Sequence, residues 1–110
     1  MSCLFCRIIH KEIPSAVVYE DDQILAFRDI NPTAPTHILF IPKTHIEGAA
    51  AVTQAHAPVI GHIFKTIPEI AKQLGLTDFR VVTNNGASAG QTVDHLHFHI
   101  VGGKELGDFV

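Results

Sequence analysis

Tryptophan is absent from this chain of 110 residues, tyrosine and methionine occur once each, and cysteine only twice. The two cysteines, Cys3 and Cys6, form a close C-x-x-C pair, which in a reducing compartment points to a metal or redox element rather than a structural disulfide. No window approaches the roughly 18 apolar residues of a membrane span. The start, Met1-Ser2-Cys3-Leu4-Phe5-Cys6-Arg7, lacks a basic region ahead of an apolar stretch, so no membrane attachment is expected and a cytoplasmic location is. Charge is sparse, at 17% of residues and a net −3, with no basic run. That excludes a dedicated nucleic-acid surface, which needs a field able to gather polyanions. There is no internal repeat, no Pro/Gly/Ser linker, no serine nucleophile elbow, no P-loop and no G-x-G-x-x-G turn. At this length the chain is expected to be one domain, 1–110, with one core.

Histidine is in excess, with eight residues. Their placement follows from the elements. Leu4, Phe5, Ile8 and Ile9 ahead of Ile13-Pro14 predict a short amphipathic helix over 4–11. Val17-Val18-Tyr19 and Ile24-Leu25-Ala26-Phe27, joined by Glu20-Asp21-Asp22, predict a hairpin. His37-Ile38-Leu39-Phe40-Ile41 before Pro42 is a third strand. From Ala57 to Leu74 apolar residues recur at helical spacing up to Gly75, with Pro68 expected to kink or split the helix near Thr66-Ile67. Residues 79–83 and 95–101 predict two more strands around the glycine-punctuated loop 84–90. The fold class expected is α+β: a five-stranded antiparallel sheet, one long helix on a face, and a short N-terminal helix.

His95-Leu96-His97-Phe98-His99-Ile100 alternates over six residues, which on a strand turns three imidazoles to one face and three apolar side chains to the core. One such histidine would read as a core residue. Three in register form a polar site that needs an anion, a metal or backbone acceptors. Just upstream, 84–92 offers amides, hydroxyls and backbone N–H groups able to form a concave anion nest, which alone would be an ordinary loop.

These residues resemble the histidine triad (HIT) family of nucleotide hydrolases and transferases. Residues 95–101 match its H-φ-H-φ-H-φ-φ motif. Phe5 through Ile13-Pro14, Ala26-Phe27-Arg28-Asp29-Ile30-Asn31-Pro32, Ala34-Pro35-Thr36-His37, Ile41-Pro42-Lys43-Thr44-His45-Ile46 and Gly90-Gln91-Thr92-Val93 look like its Hint branch. The resemblance implies a HIT-like fold and a homodimer. It implies that His97 attacks the α-phosphorus of a purine nucleotide derivative or nucleoside phosphoramidate, forming a nucleotidyl-histidine that water resolves to the monophosphate. His99 would bind a non-bridging oxygen, with Asn84, Gln91 and Thr92 completing the phosphate shell. Asp29 would accept from the ribose, and Phe5, Ile8, Ile13, Phe27 and Ile30 would line the base pocket, although each also reads as core. Dinucleoside polyphosphate hydrolysis, nucleotidyl transfer, and a non-catalytic nucleotide-binding regulatory module remain alternatives to phosphoramidase activity. The chain departs from the Hint pattern at Leu106-Gly107-Asp108-Phe109-Val110, where no tryptophan-bearing tail follows.

On a short helix Cys3 and Cys6 sit at i, i+3, and their thiols can converge. A tetrahedral zinc would take His45 and His95 as its other ligands, an arrangement some HIT proteins share, and with four protein ligands it would be structural. Two reduced buried cysteines are the alternative. His10, His37, His56 and His62 have no partner assignable from spacing and read as surface or packing residues.

Overall fold

A computed structural model describes residues 3–108. Its first helix, α1, spans Leu4–Ile9, shorter than the predicted 4–11. The reason is a closing turn: Lys11 takes φ 63°, its N–H bonds the Ile8 carbonyl at 3.0 Å, and the Glu12 N–H reaches back to Arg7 at 2.9 Å. That double bond pattern satisfies the last carbonyls and cannot be continued as helix.

Strands β1 (Val17–Glu20), β2 (Ile24–Arg28), β3 (Thr36–Pro42), β4 (Phe79–Val82) and β5 (Phe98–Gly102) form one sheet in the order β1-β2-β3-β5-β4. Every neighbouring pair is antiparallel. With the long helix α2 (Ala57–Gln73), this is the α+β arrangement expected from the sequence. Strand alternation sorts the apolar residues between two faces. Ile24, Ala26, Ile38, Phe40, Leu96, Phe98 and Ile100 join Ile63, Ile67 and Ile70 of α2 in the main core. Leu25, Phe27, Leu39 and Ile41 meet Phe5 and Ile8 of α1 on the opposite face. Fully burying such side chains contributes about 1.5–3 kcal/mol each. The long helix therefore anchors one face, and the small helix leaves room on the other for a site.

Two local expectations are corrected. The last strand begins at Phe98, not His95, because its ladder to β3 starts at Phe98↔Phe40, and Leu96 instead donates to the Ile46 carbonyl at 2.6 Å. Helix α2 runs without a break through Pro68. Both Pro68 and Phe64 lie on its exposed side, where water can serve the Phe64 carbonyl that proline's missing N–H leaves without a donor. Among the described residues no helix is long and apolar enough to cross a membrane.

The β1–β2 turn is tied to α2 through Asp21. Its Oδ2 accepts from the Tyr19 hydroxyl and His62 Nε2, each at 2.7 Å, and its Oδ1 from the Gln23 and Ile24 N–H groups. Partial burial pushes this carboxyl up, but the hydrogen bonds together outweigh it and hold Asp21 well below the usual carboxylate range. A depressed folded-state pKa gives stability that is present above the unfolded value and lost as pH falls through the folded one. Asp21→Asn is therefore expected to cost about 1–2 kcal/mol at neutral pH. The difference from the parent should shrink below about pH 4, as read by urea unfolding across pH.

Candidate active site

The face opposite α2 holds a cavity of about 290 Å³ between α1, the end of β2 and the start of β5. Apolar side chains dominate its wall: Phe5 and Ile8 from α1, Ile13 from the following turn, and Phe27 and Leu39 from the sheet. Ile30 stands at the rim, 90% exposed. Asp29, Thr92, His97 and His99 supply the polar part of the lining.

Hydrogen bonds fix the histidine tautomers. His97 Nδ1 lies 2.7 Å from the His95 carbonyl oxygen. A carbonyl only accepts, so Nδ1 carries the proton and Nε2 keeps its lone pair. Phe5 packs edge-on against this ring, with centroids 5.1 Å apart, and His97, although buried, borders the cavity. On the neighbouring position the Thr33 N–H donates to His37 Nδ1 at 3.1 Å. His37 must then carry its proton on Nε2, which donates to His99 Nδ1 at 2.9 Å, with Asp29 Oδ2 farther off at 3.4 Å. His99 in turn carries its proton on Nε2. Burial chiefly, then the His97 and His37 rings, push the His99 pKa down to about 4, against the pull of Asp29. The ring stays neutral near pH 7, a fixed single donor beside a ring with a free lone pair.

Asp29, His37 and His99 also converge closely enough to suggest a metal site. The Thr33 bond argues against it. With His37 Nδ1 occupied as an acceptor, the Nε2 proton would have to be lost for a metal to bind, leaving an imidazolate.

A second cluster fits a metal. The Sγ atoms of Cys3 and Cys6 and the Nδ1 atoms of His45 and His95 all lie within 4.8 Å of one another. His95 donates its Nε2 proton to the Pro42 carbonyl at 2.8 Å, which turns an Nδ1 lone pair toward the sulfurs. Burial, against a contribution from Pro42, keeps this ring's pKa below the usual imidazole value. Nδ1 of His45 and His95 are 3.2 Å apart, and the sulfur–nitrogen separations are 3.3, 3.4 and 3.6 Å. A zinc tetrahedron with Zn–N near 2.0–2.1 Å and Zn–S near 2.3 Å has edges of roughly 3.4 and 3.6 Å. Burial first, and then the adjacent Cys3 thiol, push the Cys6 thiol up to about 11. Two neighbouring thiols, one buried and one half-buried, are an environment a divalent cation relieves.

Residues 10–106 match the model of the HIT domain. The chain is 50% identical over 106 residues to a 14 kDa zinc-binding protein of Zea mays, covering 94% of this chain and 83% of that protein. It is 45% identical over 106 residues to adenylylsulfatase HINT1 of Arabidopsis thaliana, covering 94% and 72%. A solved HIT family hydrolase from Clostridium thermocellum superposes with a TM-score of 0.95 at 42% identity, over 99% of this chain and 96% of that one. The chain belongs to the HIT family.

Against the HIT motif, the structure brings Phe5, Ile8, Ile13, Phe27, Asp29, Ile30, Thr92, His97 and His99 around one cavity. It gathers Cys3, Cys6, His45 and His95 in the adjoining cluster. Asn84 and Gln91 are placed outside that cavity's lining. The Gln91 side chain is spent on the fold: its Oε1 accepts from the Gly86 N–H at 2.7 Å, and its Nε2 donates to the Glu47 and Val93 carbonyls at 2.7 and 3.0 Å. Asn84 sits against Gly90, whose φ of +96° admits glycine readily and where an added Cβ would approach Asn84 Nδ2 to 3.3 Å. His37, whose spacing reads as a surface or packing residue, is placed against His99. Its position shares the parity of Leu39 and Ile41 on β3, which placed it on the site face. What local sequence did not carry was that β5, not β4, lies beside β3.

Proposed function

We propose that this HIT protein hydrolyses nucleoside 5′-phosphoramidates and related nucleotidyl compounds through a covalent nucleotidyl-His97. The observation that carries this is the 2.7 Å contact of His97 Nδ1 with the His95 carbonyl, which leaves Nε2 as the nucleophilic nitrogen. Nε2 attacks the α-phosphorus, the bond to the leaving group breaks, and that group departs after taking a proton from solvent. The phosphorylated ring is cationic, and the carbonyl against its Nδ1–H stabilises that charge. His99 Nε2–H and Thr92 donate to the phosphoryl oxygens where negative charge builds. Water then attacks phosphorus, gives up a proton to solvent, and His97 leaves as a neutral imidazole. The apolar wall around Phe5 and Ile8 suits a purine, and Asp29 at the cavity edge suits ribose hydroxyls. The Arabidopsis relative's name, adenylylsulfatase, adds a sulfate leaving group to the compounds to be assayed.

A zinc held by Cys3, Cys6, His45 and His95 would be structural, since four protein ligands leave no position for an activated water. A homodimer in a reducing cytoplasm completes the reading; exposed Phe64 on α2 is compatible with it, and sedimentation velocity checks it.

The direct test is chemical quench of protein mixed with adenosine 5′-phosphoramidate, followed by mass spectrometry. One AMP moiety bound at His97 is expected; steady turnover with no adduct at any quench time discards the mechanism. The His37 relay gives a second check. His37→Leu removes the donor that fixes the His99 tautomer and is expected to lower kcat by roughly 10²-fold. His37→Gln, which retains an N–H near the same place, should lose no more than about tenfold. Equal loss in both variants would reduce His37 to a packing residue.

A further inference from the structure

Cys3 caps the N-terminus of α1 and Cys6 lies in its first turn, on the short helix that also carries a wall of the nucleotide cavity. Between them sits Phe5, whose ring meets Phe27 at 5.5 Å, His95 at 5.9 Å and His97 at 5.1 Å, all edge-on. One turn on is Ile8, also in the cavity wall. Six helical residues do not hold together alone. Helix α1 keeps its place through buried Phe5, Cys6 and Ile8 and through the convergence of its two sulfurs on His45 and His95. The state of the sulfurs thus bears directly on the cavity and on the ring at its end.

The sulfurs are open to oxidation in an ordered way. Cys3 is half-buried and, with His45, borders a separate cavity of about 430 Å³. Cys6 is only 5% exposed. A small oxidant meets Cys3 first and Cys6 stands behind it, its N–H already donating to Cys3 Sγ at 3.4 Å. A disulfide brings its two sulfurs to about 2.0 Å, well inside the roughly 3.8 Å that two sulfurs keep as ligands of one tetrahedral zinc. Bond formation therefore tightens the first turn of α1 and draws the sulfurs off the histidines.

We propose that Cys3 and Cys6 form an oxidation-sensitive latch on the nucleotide cavity, which hydrogen peroxide opens by joining them in a disulfide. The Cys3 thiolate attacks one peroxide oxygen; the O–O bond breaks, giving a sulfenic acid at Cys3 and hydroxide. The Cys6 thiolate then attacks the Cys3 sulfur, forming the S–S bond and displacing a second hydroxide. Each hydroxide becomes water by taking a proton, from a thiol or from solvent where the sulfur was already a thiolate. Two electrons pass from the sulfurs to one peroxide. A cation held by the pair loses both anionic ligands, and α1 loosens from Phe27 and His97.

The latch rests on reading the cavity as a nucleotide site, and the experiment separates the two. Zinc-loaded full chain is titrated with hydrogen peroxide and followed by a chromogenic zinc chelator, intact mass, amide hydrogen exchange over residues 4–9, and calorimetric binding of AMP. Zinc release and loss of two hydrogens from the mass are expected together, with faster exchange over 4–9. The AMP dissociation constant should rise about tenfold or more, and thiol reductant with zinc should restore every readout. Unchanged exchange over 4–9 in the disulfide form overturns the latch whether or not AMP binds. So does unaltered AMP affinity in a protein whose reduced form binds it, or oxidation that stops at sulfinic acid. A reduced protein that binds no AMP overturns the nucleotide reading, while the exchange measurement still decides the latch.

Discussion

His97→Ala is expected to lower kcat for AMP release from adenosine 5′-phosphoramidate by at least about 10⁴-fold, the scale of losing the nucleophile in a covalent enzyme. At about 1.36 kcal/mol per tenfold, that is roughly 5.5 kcal/mol of barrier. Affinity for AMP should change little, because Phe5, Ile8, Phe27 and Asp29 remain around the cavity. The split is what distinguishes a nucleophile from a structural ring. His97 is 4% exposed and packed on Phe5, so truncation could also disturb the cavity wall, and that would show as weaker AMP binding. The parent's pH profile carries a related sign. Protonating Nε2 of His97 removes the attacking lone pair, while His99, held down to about 4 by burial, adds no ionisation above roughly pH 5. His99 should therefore contribute nothing to any loss of kcat above roughly pH 5. AMP release that survives in the His97→Ala variant would count against the assignment.

Removing zinc is expected to lower stability by at least about 3 kcal/mol, since a ligand at a hundredfold excess over its dissociation constant already contributes about 2.7 kcal/mol if it binds only the folded chain. For a domain of this size the thermal midpoint should fall by roughly 10 °C or more. The physical basis is topological: the cluster joins α1 to residue 95, 92 positions away from Cys3, and to His45 beyond β3. Scanning fluorimetry with and without a strong chelator measures it. The Cys3→Ser, Cys6→Ser double variant should melt near the chelated parent and ignore the chelator. Identical midpoints for metal-loaded and metal-free parent would reduce the four side chains to packing partners. His97 should also be less well held without the cation, because the residue whose ring belongs to the cluster, His95, is the one whose carbonyl fixes the His97 tautomer.

Much of this was legible in the residues. Alternation over 95–100 separated Leu96, Phe98 and Ile100 from the histidines because period two is a local property that survives even where regular pairing starts only at Phe98. The i, i+3 spacing of Cys3 and Cys6 brought the thiols together because the residue capping a helix and the third residue inside it face one another across the first turn. Local sequence was silent on what depends on strand order. His37 reaches His99 only because β5 inserts beside β3, and nothing in 36–42 announces that neighbour. Pro68 misled for a different reason: its usual penalty is greatest in the dry interior of a helix, and here the affected side faces water. The full engagement of the Gln91 amide with Gly86, Glu47 and Val93 was hidden in the same way, since those partners come together only in the folded chain.

The insertion of β5 between β3 and β4 also shapes how the chain is made. During synthesis the middle of the sheet arrives last. Until 98–102 has left the ribosome, β4 has no strand to pair with and one edge of β3 stays open, a state in which nascent chains attract chaperones or one another. His97, His99 and His95, the proposed nucleophile, its donor and the ring of the cysteine cluster, all lie on or next to that strand. The histidine face and the strand that joins β3 to β4 are thus completed together, as residues 95–102 emerge.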